Sequence, residues 1–124
     1  MRNLVIKIGS SIITNENGLD EQWLNQLSRD VLSIKAAGYR PVIVSSGAVA
    51  AGRIKLGIAN RIRDITMKQA AAAIGQSSLM WAYERVFGVY DVKVAQILLT
   101  SDVFSDRRRY INTRNTVTAL LNLD

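Results

Sequence analysis

Pro41-Val42-Ile43-Val44-Ser45-Ser46-Gly47-Ala48-Val49-Ala50-Ala51-Gly52-Arg53-Ile54 changes character in its middle. Pro41 to Val44 favour a strand, and the proline stands at its start, where a missing N–H matters least. Ser45-Ser46-Gly47 reads as a sharp turn. A run of small, helix-compatible residues follows from about Ala48, and Gly57 is the expected stop. A strand that turns directly into a helix is half of a βαβ unit, and the rest of the chain is read against it.

Upstream, Leu4-Val5-Ile6-Lys7-Ile8 reads as a strand closed by the turn Gly9-Ser10-Ser11, and Asn15-Glu16-Asn17-Gly18 as a loop or hairpin tip. Asp20 is placed to cap an amphipathic helix with Leu24, Leu27, Val31 and Ile34 on its stripe and Gly38 just past its end. Downstream, Asp64 or Thr66 opens a long helix that runs to about Phe87. Met67, Ala71, Ile74, Ser78 and Trp81 share one face of it and Leu79, Ala82 and Val86 another, which predicts burial on two sides. The small run Ala70 to Ala73 predicts very close packing, and a second subunit is one candidate partner for it. Val92 to Leu99 reads as a third strand ended by Thr100-Ser101-Asp102. A last helix from about Asp106 turns Tyr110, Thr113, Val117, Leu120 and Leu121 inward. Strands separated by helices need crossover connections. The expected fold is therefore α/β: an open, mainly parallel sheet sandwiched by helices. It is expected to be truncated, because another strand would naturally follow the last helix.

Composition narrows the chemistry. The 124 residues contain neither cysteine nor histidine, which excludes disulfides, thiolate zinc sites and histidine-based triads or metal sites. No metal ligand is assigned. Met1-Arg2-Asn3 does not begin a signal peptide, and no apolar run reaches membrane-spanning length, so a cytoplasmic protein with no membrane partner is expected. The formal charge of +6 suits either an enzyme of anionic substrates or a nucleic-acid-binding α/β module. Aromatic residues make up only 6%, which argues against a base-stacking surface, and nucleic acid is not the expected partner.

Ligands of open α/β sheets bind at the carboxyl ends of the strands. The turns there are Gly9-Ser10-Ser11, Ser45-Ser46-Gly47 and Thr100-Ser101-Asp102. Small and hydroxyl residues let the backbone approach a ligand and aim N–H groups at an anion, though any αβ turn favours such residues. Lys7 interrupts an apolar strand expected to be covered on both faces. A buried ammonium needs an anion, while a lysine at a strand end can also pair with a carboxylate or reach water. Gly47 to Ile54 approaches a phosphate-binding P-loop, but Arg53 and Ile54 replace the lysine and the Ser/Thr, so that reading fails. Arg107, Arg108, Arg109 and Arg114 are the one basic cluster, read as a solvated helix start with subunit contact or substrate steering as alternatives. Gly75-Gln76 inside the long helix points to close packing, with Gln76 available as a polar contact.

Taken in order, these segments resemble the glutamate 5-kinases of the amino acid kinase family. The stretches that carry the resemblance are Val5 to Ser11, Val44 to Arg53, Lys68-Gln69-Ala70-Ala71-Ala72-Ala73-Ile74-Gly75-Gln76, Gln96 to Thr100, and Arg109 to Thr116. The serine-glycine-alanine turn and the lysine-glutamine-alanine helix narrow the resemblance to this kinase, with its close relative, the kinase half of a bifunctional pyrroline-5-carboxylate synthase, as the alternative. The resemblance implies that residues 1–124 are the N-terminal half of an amino acid kinase domain. It implies transfer of phosphate from ATP, with Mg2+, to the side-chain carboxylate of L-glutamate, the first step towards proline, in a homo-oligomer. Lys7 would match the catalytic lysine that contacts the ATP phosphates, with Gly9 and Ser10 beside it. Ser46 would match the glutamate-binding serine, and Gly47 would lend turn backbone. The adenine-binding region and a second lysine of that family have no counterpart here, so the 124 residues alone are expected to be inactive.

Overall fold

The computed structural model describes residues 1–123. The chain divides into two compact units, Met1–Val94 and Ala95–Asp124.

In the first unit, strand β1 (Arg2–Ile8) leads through Gly9 into one helical turn, α1 (Ser10–Ile13). A short antiparallel hairpin follows, β2 (Thr14–Asn15) and β3 (Gly18–Leu19), so residues 15–18 are the hairpin tip that the sequence indicates. Helix α2 (Glu21–Ala36) starts where Asp20 accepts the Trp23 N–H at 3.0 Å and ends at Gly38, whose φ is +86°. Strand β4 (Tyr39–Ser45) then lies parallel to β1, pairing Leu4 with Pro41, Ile6 with Ile43, Lys7 with Val44 and Ile8 with Ser45. Helices α3 (Ala48–Lys55) and α4 (Ile65–Gly88) complete the unit. Gly57, at φ +68°, stops α3, and the Asp64 carboxylate caps α4 by accepting the Met67 N–H at 2.8 Å.

The core explains which face of the sheet does what. Side chains alternate across a strand, and residues paired in a parallel ladder share a face. Ile6, Ile8 and Ile43 therefore point the same way. They meet Leu24, Leu27 and Val31 of α2 and Leu79, Ala82, Tyr83, Val86 and Phe87 of α4. The other face carries Val5, Lys7 and Val44, all exposed. The expectation that Lys7 lies in a strand covered on both faces is thus corrected. Neither helix that builds the core covers the Lys7 side, so its ammonium is hydrated instead of buried. Along α4, Ala71 and Leu79 are buried as the periodicity predicts, whereas Met67 and Trp81 stand in solvent.

α3 and α4 touch backbone to backbone. A Cβ placed on Gly52 would overlap the Ala71 carbonyl, and one placed on Gly75 would overlap the Ala48 carbonyl and the Gly52 nitrogen. The small residues that predict close packing find it here, within one chain.

Residues 92–99 do not form the expected strand. Val92 and Val94 are half-buried and pack on the core of the first unit, so the alternation signalled burial correctly. A ladder also needs a partner edge, and none of these residues takes part in one. In the second unit, a 3-10 turn at Ser101–Val103 precedes α5 (Arg107–Asn122), which is capped by Asp106. Arg109 pairs with the Asp102 carboxylate, which Thr100 also contacts. No residue of α5 is fully buried; Thr113, Val117, Leu120 and Leu121 are half-buried, and Tyr110 is exposed.

Candidate functional site

An open cavity of about 320 Å³ lies where β4 turns into α3, lined by Ser10, residues 45–50 and Gln76. That volume falls within the usual range of small-molecule sites, roughly 300–1,000 Å³. It joins α1, the β4–α3 turn and α4, and so gathers Ser10, Ser46, Gly47 and Gln76 from distant parts of the sequence. Lys7 and Gly9 do not line it. Lys7 stands one residue before Ile8 on the opposite face of β1, and its ammonium makes no ion pair or hydrogen bond among the described residues. Gly9 caps α1, its carbonyl accepting from the Ile12 and Ile13 N–H groups.

The turn is held by a few strong constraints. Gly47 adopts φ +110° and ψ −5°, a left-handed conformation that disfavours a side chain. A Cβ there would also come within 2.7 Å of Ile13 Cγ2, and Ile13 is fully buried. Sterics and dihedral thus both require glycine. The Ser46 N–H donates to the Ile8 carbonyl at 2.9 Å, tying the turn to the end of β1. On the other side, Tyr83 Oη donates to Ser45 Oγ at 2.8 Å, and Ser45 Oγ donates to the Ser46 carbonyl at 3.0 Å. Burial pushes the Tyr83 phenol above its ordinary pKa, opposed by the Ser45 hydrogen bond, so the hydroxyl keeps its proton near neutral pH.

The chemistry on offer is anion binding. The first intrahelical hydrogen bond of α3 runs from Ala51 N–H to the Gly47 carbonyl at 2.9 Å. The N–H groups of Gly47, Ala48, Val49 and Ala50 therefore have no acceptor among the described residues, and no side chain caps them. These are the orphan donors of a helix start, which carries partial positive charge. The hydroxyls of Ser46 and Ser10 and the Gln76 amide likewise have no partner among the described residues. Among the described residues no carboxylate lines the cavity to oppose an anion. Ser46 and Gly47, singled out from the sequence, both line the cavity; the Ser45–Tyr83 contact was not foreseen, because it spans 38 residues. The available signal was spacing: seven residues separate Gln76 from Tyr83, which returns to nearly the same face of an α-helix.

The fold and site define an α/β protein with an open cavity at a strand-to-helix turn. The chain belongs to the amino acid kinase family, which matches residues 2–124. It is similar to the glutamate 5-kinase of Citrifermentans bemidjiense, 52% identical over 122 residues, 98% of this chain and 33% of that one. It is also similar to the glutamate 5-kinases of Teredinibacter turnerae, at 48% over 124 residues (99% and 33%), and Thermotoga maritima, at 44% over 121 residues (98% and 34%). The chain thus spans about a third of the length of the curated relatives it matches. No helix among the described residues is long and apolar enough to cross a membrane.

Proposed function

We propose that the protein transfers the γ-phosphoryl group of ATP to the side-chain carboxylate of L-glutamate, and that this chain supplies the N-terminal half of the kinase domain. One observation supports the assignment to this cavity: Gly47, Ala48, Val49 and Ala50, whose N–H groups have no acceptor among the described residues, line it together with Ser46. In the reaction a carboxylate oxygen of glutamate attacks the γ-phosphorus, the bond from that phosphorus to the β–γ bridging oxygen breaks, and ADP leaves with the electron pair. The products are ADP and glutamyl 5-phosphate. A carboxylate is already nucleophilic at neutral pH, so a chain without histidine lacks nothing for activation.

The difficulty is repulsion between two anions, and the protein's task is positioning and charge neutralisation. Ser46 and the Gly47 backbone hold glutamate. Lys7, with Gly9 and Ser10, receives the nucleotide phosphates at the end of β1, and Ser10 stands between the two sets as a cavity residue. Magnesium accompanies ATP and offsets its charge. The described residues contain no group of three or more acidic, histidine or cysteine side chains able to hold a metal ion, and the Asp102 carboxylate is engaged by Arg109 and Thr100. The protein acts as a cytoplasmic homo-oligomer, for which the exposed Ile65 and Met67 at the start of α4 offer apolar surface.

The test is trapping. The protein expressed from its complete gene is incubated with ATP, magnesium, glutamate and hydroxylamine, which converts an acyl phosphate to a hydroxamate. Glutamate-dependent hydroxamate with stoichiometric ADP is expected. ATP consumption with no hydroxamate, or hydroxamate formed equally from aspartate, would overturn the assignment.

A further inference from the structure

We infer that Tyr83 is a positioning residue that aims the Gly47 N–H into the cavity through Ser45. The inference rests on the reading of this cavity as the glutamate site and adds a residue to it. Tyr83 is 4% exposed, and its ring stacks against Phe87 in the core, with centroids 6.3 Å apart. Its hydroxyl is the one part of it that leaves the core chemistry. It donates to Ser45 Oγ, and Ser45 Oγ donates in turn to the Ser46 carbonyl.

The consequence follows from peptide geometry. No peptide bond among the described residues is cis, so in the planar unit between Ser46 and Gly47 the carbonyl and the N–H point in opposite directions. Fixing the Ser46 carbonyl fixes the Gly47 N–H. Glycine at φ +110° is conformationally permissive, and the rotation of this peptide is what such a residue leaves loose. The Ser46 N–H, anchored on Ile8, holds only the preceding peptide. The relay from Tyr83 supplies the missing restraint, and it reaches the turn from the helix face that also presents Gln76 to the cavity. Without the Tyr83 hydroxyl, Ser45 Oγ is free to rotate to water and the carbonyl loses its donor.

Three variants of the complete protein test this: Tyr83→Phe, Ser45→Ala and the double variant, with Ser45→Thr as the conservative control. Tyr83→Phe keeps the ring in the core and removes only the hydroxyl. Each single variant should raise the KM for glutamate about tenfold, as for one lost hydrogen bond, with the KM for ATP and kcat near wild type. The double variant should be no worse than either single one, because both break one relay. Ser45→Thr should stay near wild type. Multiplying effects in the double variant, or an unchanged glutamate KM in Tyr83→Phe, would overturn the inference. A second readout needs no turnover. In 15N-labelled protein, Tyr83→Phe should shift the Gly47 amide resonance and speed its hydrogen exchange. If wild-type protein phosphorylates no glutamate, the functional reading fails, and this amide still decides the relay: an unmoved Gly47 resonance overturns it.

Discussion

Gly75 of α4 lies directly against the carbonyl of Ala48, the first residue of α3. That contact sets the position of the α3 N-terminus, whose first residues line the cavity. Helix propensity alone would favour Gly75→Ala by about 1 kcal/mol. The added methyl would meet backbone atoms of Ala48 and Gly52, which cannot turn aside as a side chain can, and such overpacking costs about 1–3 kcal/mol. Gly75→Ala should therefore lower the Tm and raise the KM for glutamate together. Gly88→Ala, at a glycine with open space around it, should leave both near wild type. Thermal melts and steady-state kinetics on the two variants check the contrast.

Ser46 is expected to act on substrate binding. Its backbone is anchored on both sides, by Ile8 and by Ser45, so removing its hydroxyl leaves the turn in place. Ser46→Ala should raise the KM for glutamate by roughly 1–2 kcal/mol equivalent with little change in kcat. An unchanged KM would remove Ser46 from the site.

Lys7 is expected to act on a different term. It projects from the sheet face opposite the core, away from the cavity lining, so its loss should leave glutamate binding intact. As the phosphate-neutralising group it should matter most in the transition state. Lys7→Ala should lower kcat by about 3 kcal/mol or more in barrier terms. A variant with near-normal kcat would show that another cation carries that role.

What the sequence made legible was local. Asp20 caps its helix as expected, Asp64 is the one of the two expected starts that caps α4, Asp106 caps α5 near its expected start, and Gly38, Gly47 and Gly57 each take a positive φ at an expected helix stop or turn. Caps and turns depend on residues within a few positions of one another. The misreadings were non-local. Val92 to Leu99 has strand character, but pairing depends on an edge the run itself does not encode. The strand around Lys7 was expected to be covered on both faces because covering was inferred from apolar residues alone, and of the alternatives open for Lys7 the structure shows an ammonium in water. Tyr83 was passed over because a buried tyrosine on an apolar helix face reads as core, and its hydroxyl finds Ser45 only after the chain has folded.

Tyr83 also gives a pH signature. Burial holds its folded pKa above that of the unfolded chain, so the neutral phenol favours the folded state. That contribution is complete below the unfolded value, about 10, and is lost as pH rises through the folded one. Urea unfolding of wild type and Tyr83→Phe between pH 8 and about pH 11 should show wild type losing stability relative to the variant above about pH 10. Parallel curves would mean that the phenol is not desolvated in the folded protein.

The central claim is that the N-terminus of α3 receives the substrate carboxylate, and backbone amide resonances report on it directly. L-Glutamate titrated into the 15N-labelled complete protein should move the resonances of Gly47, Ala48, Val49 and Ala50 together and saturably, with the Ser46→Ala variant requiring more glutamate for the same shifts. Saturable glutamate binding that leaves these four amides unmoved, while others shift, would contradict the account.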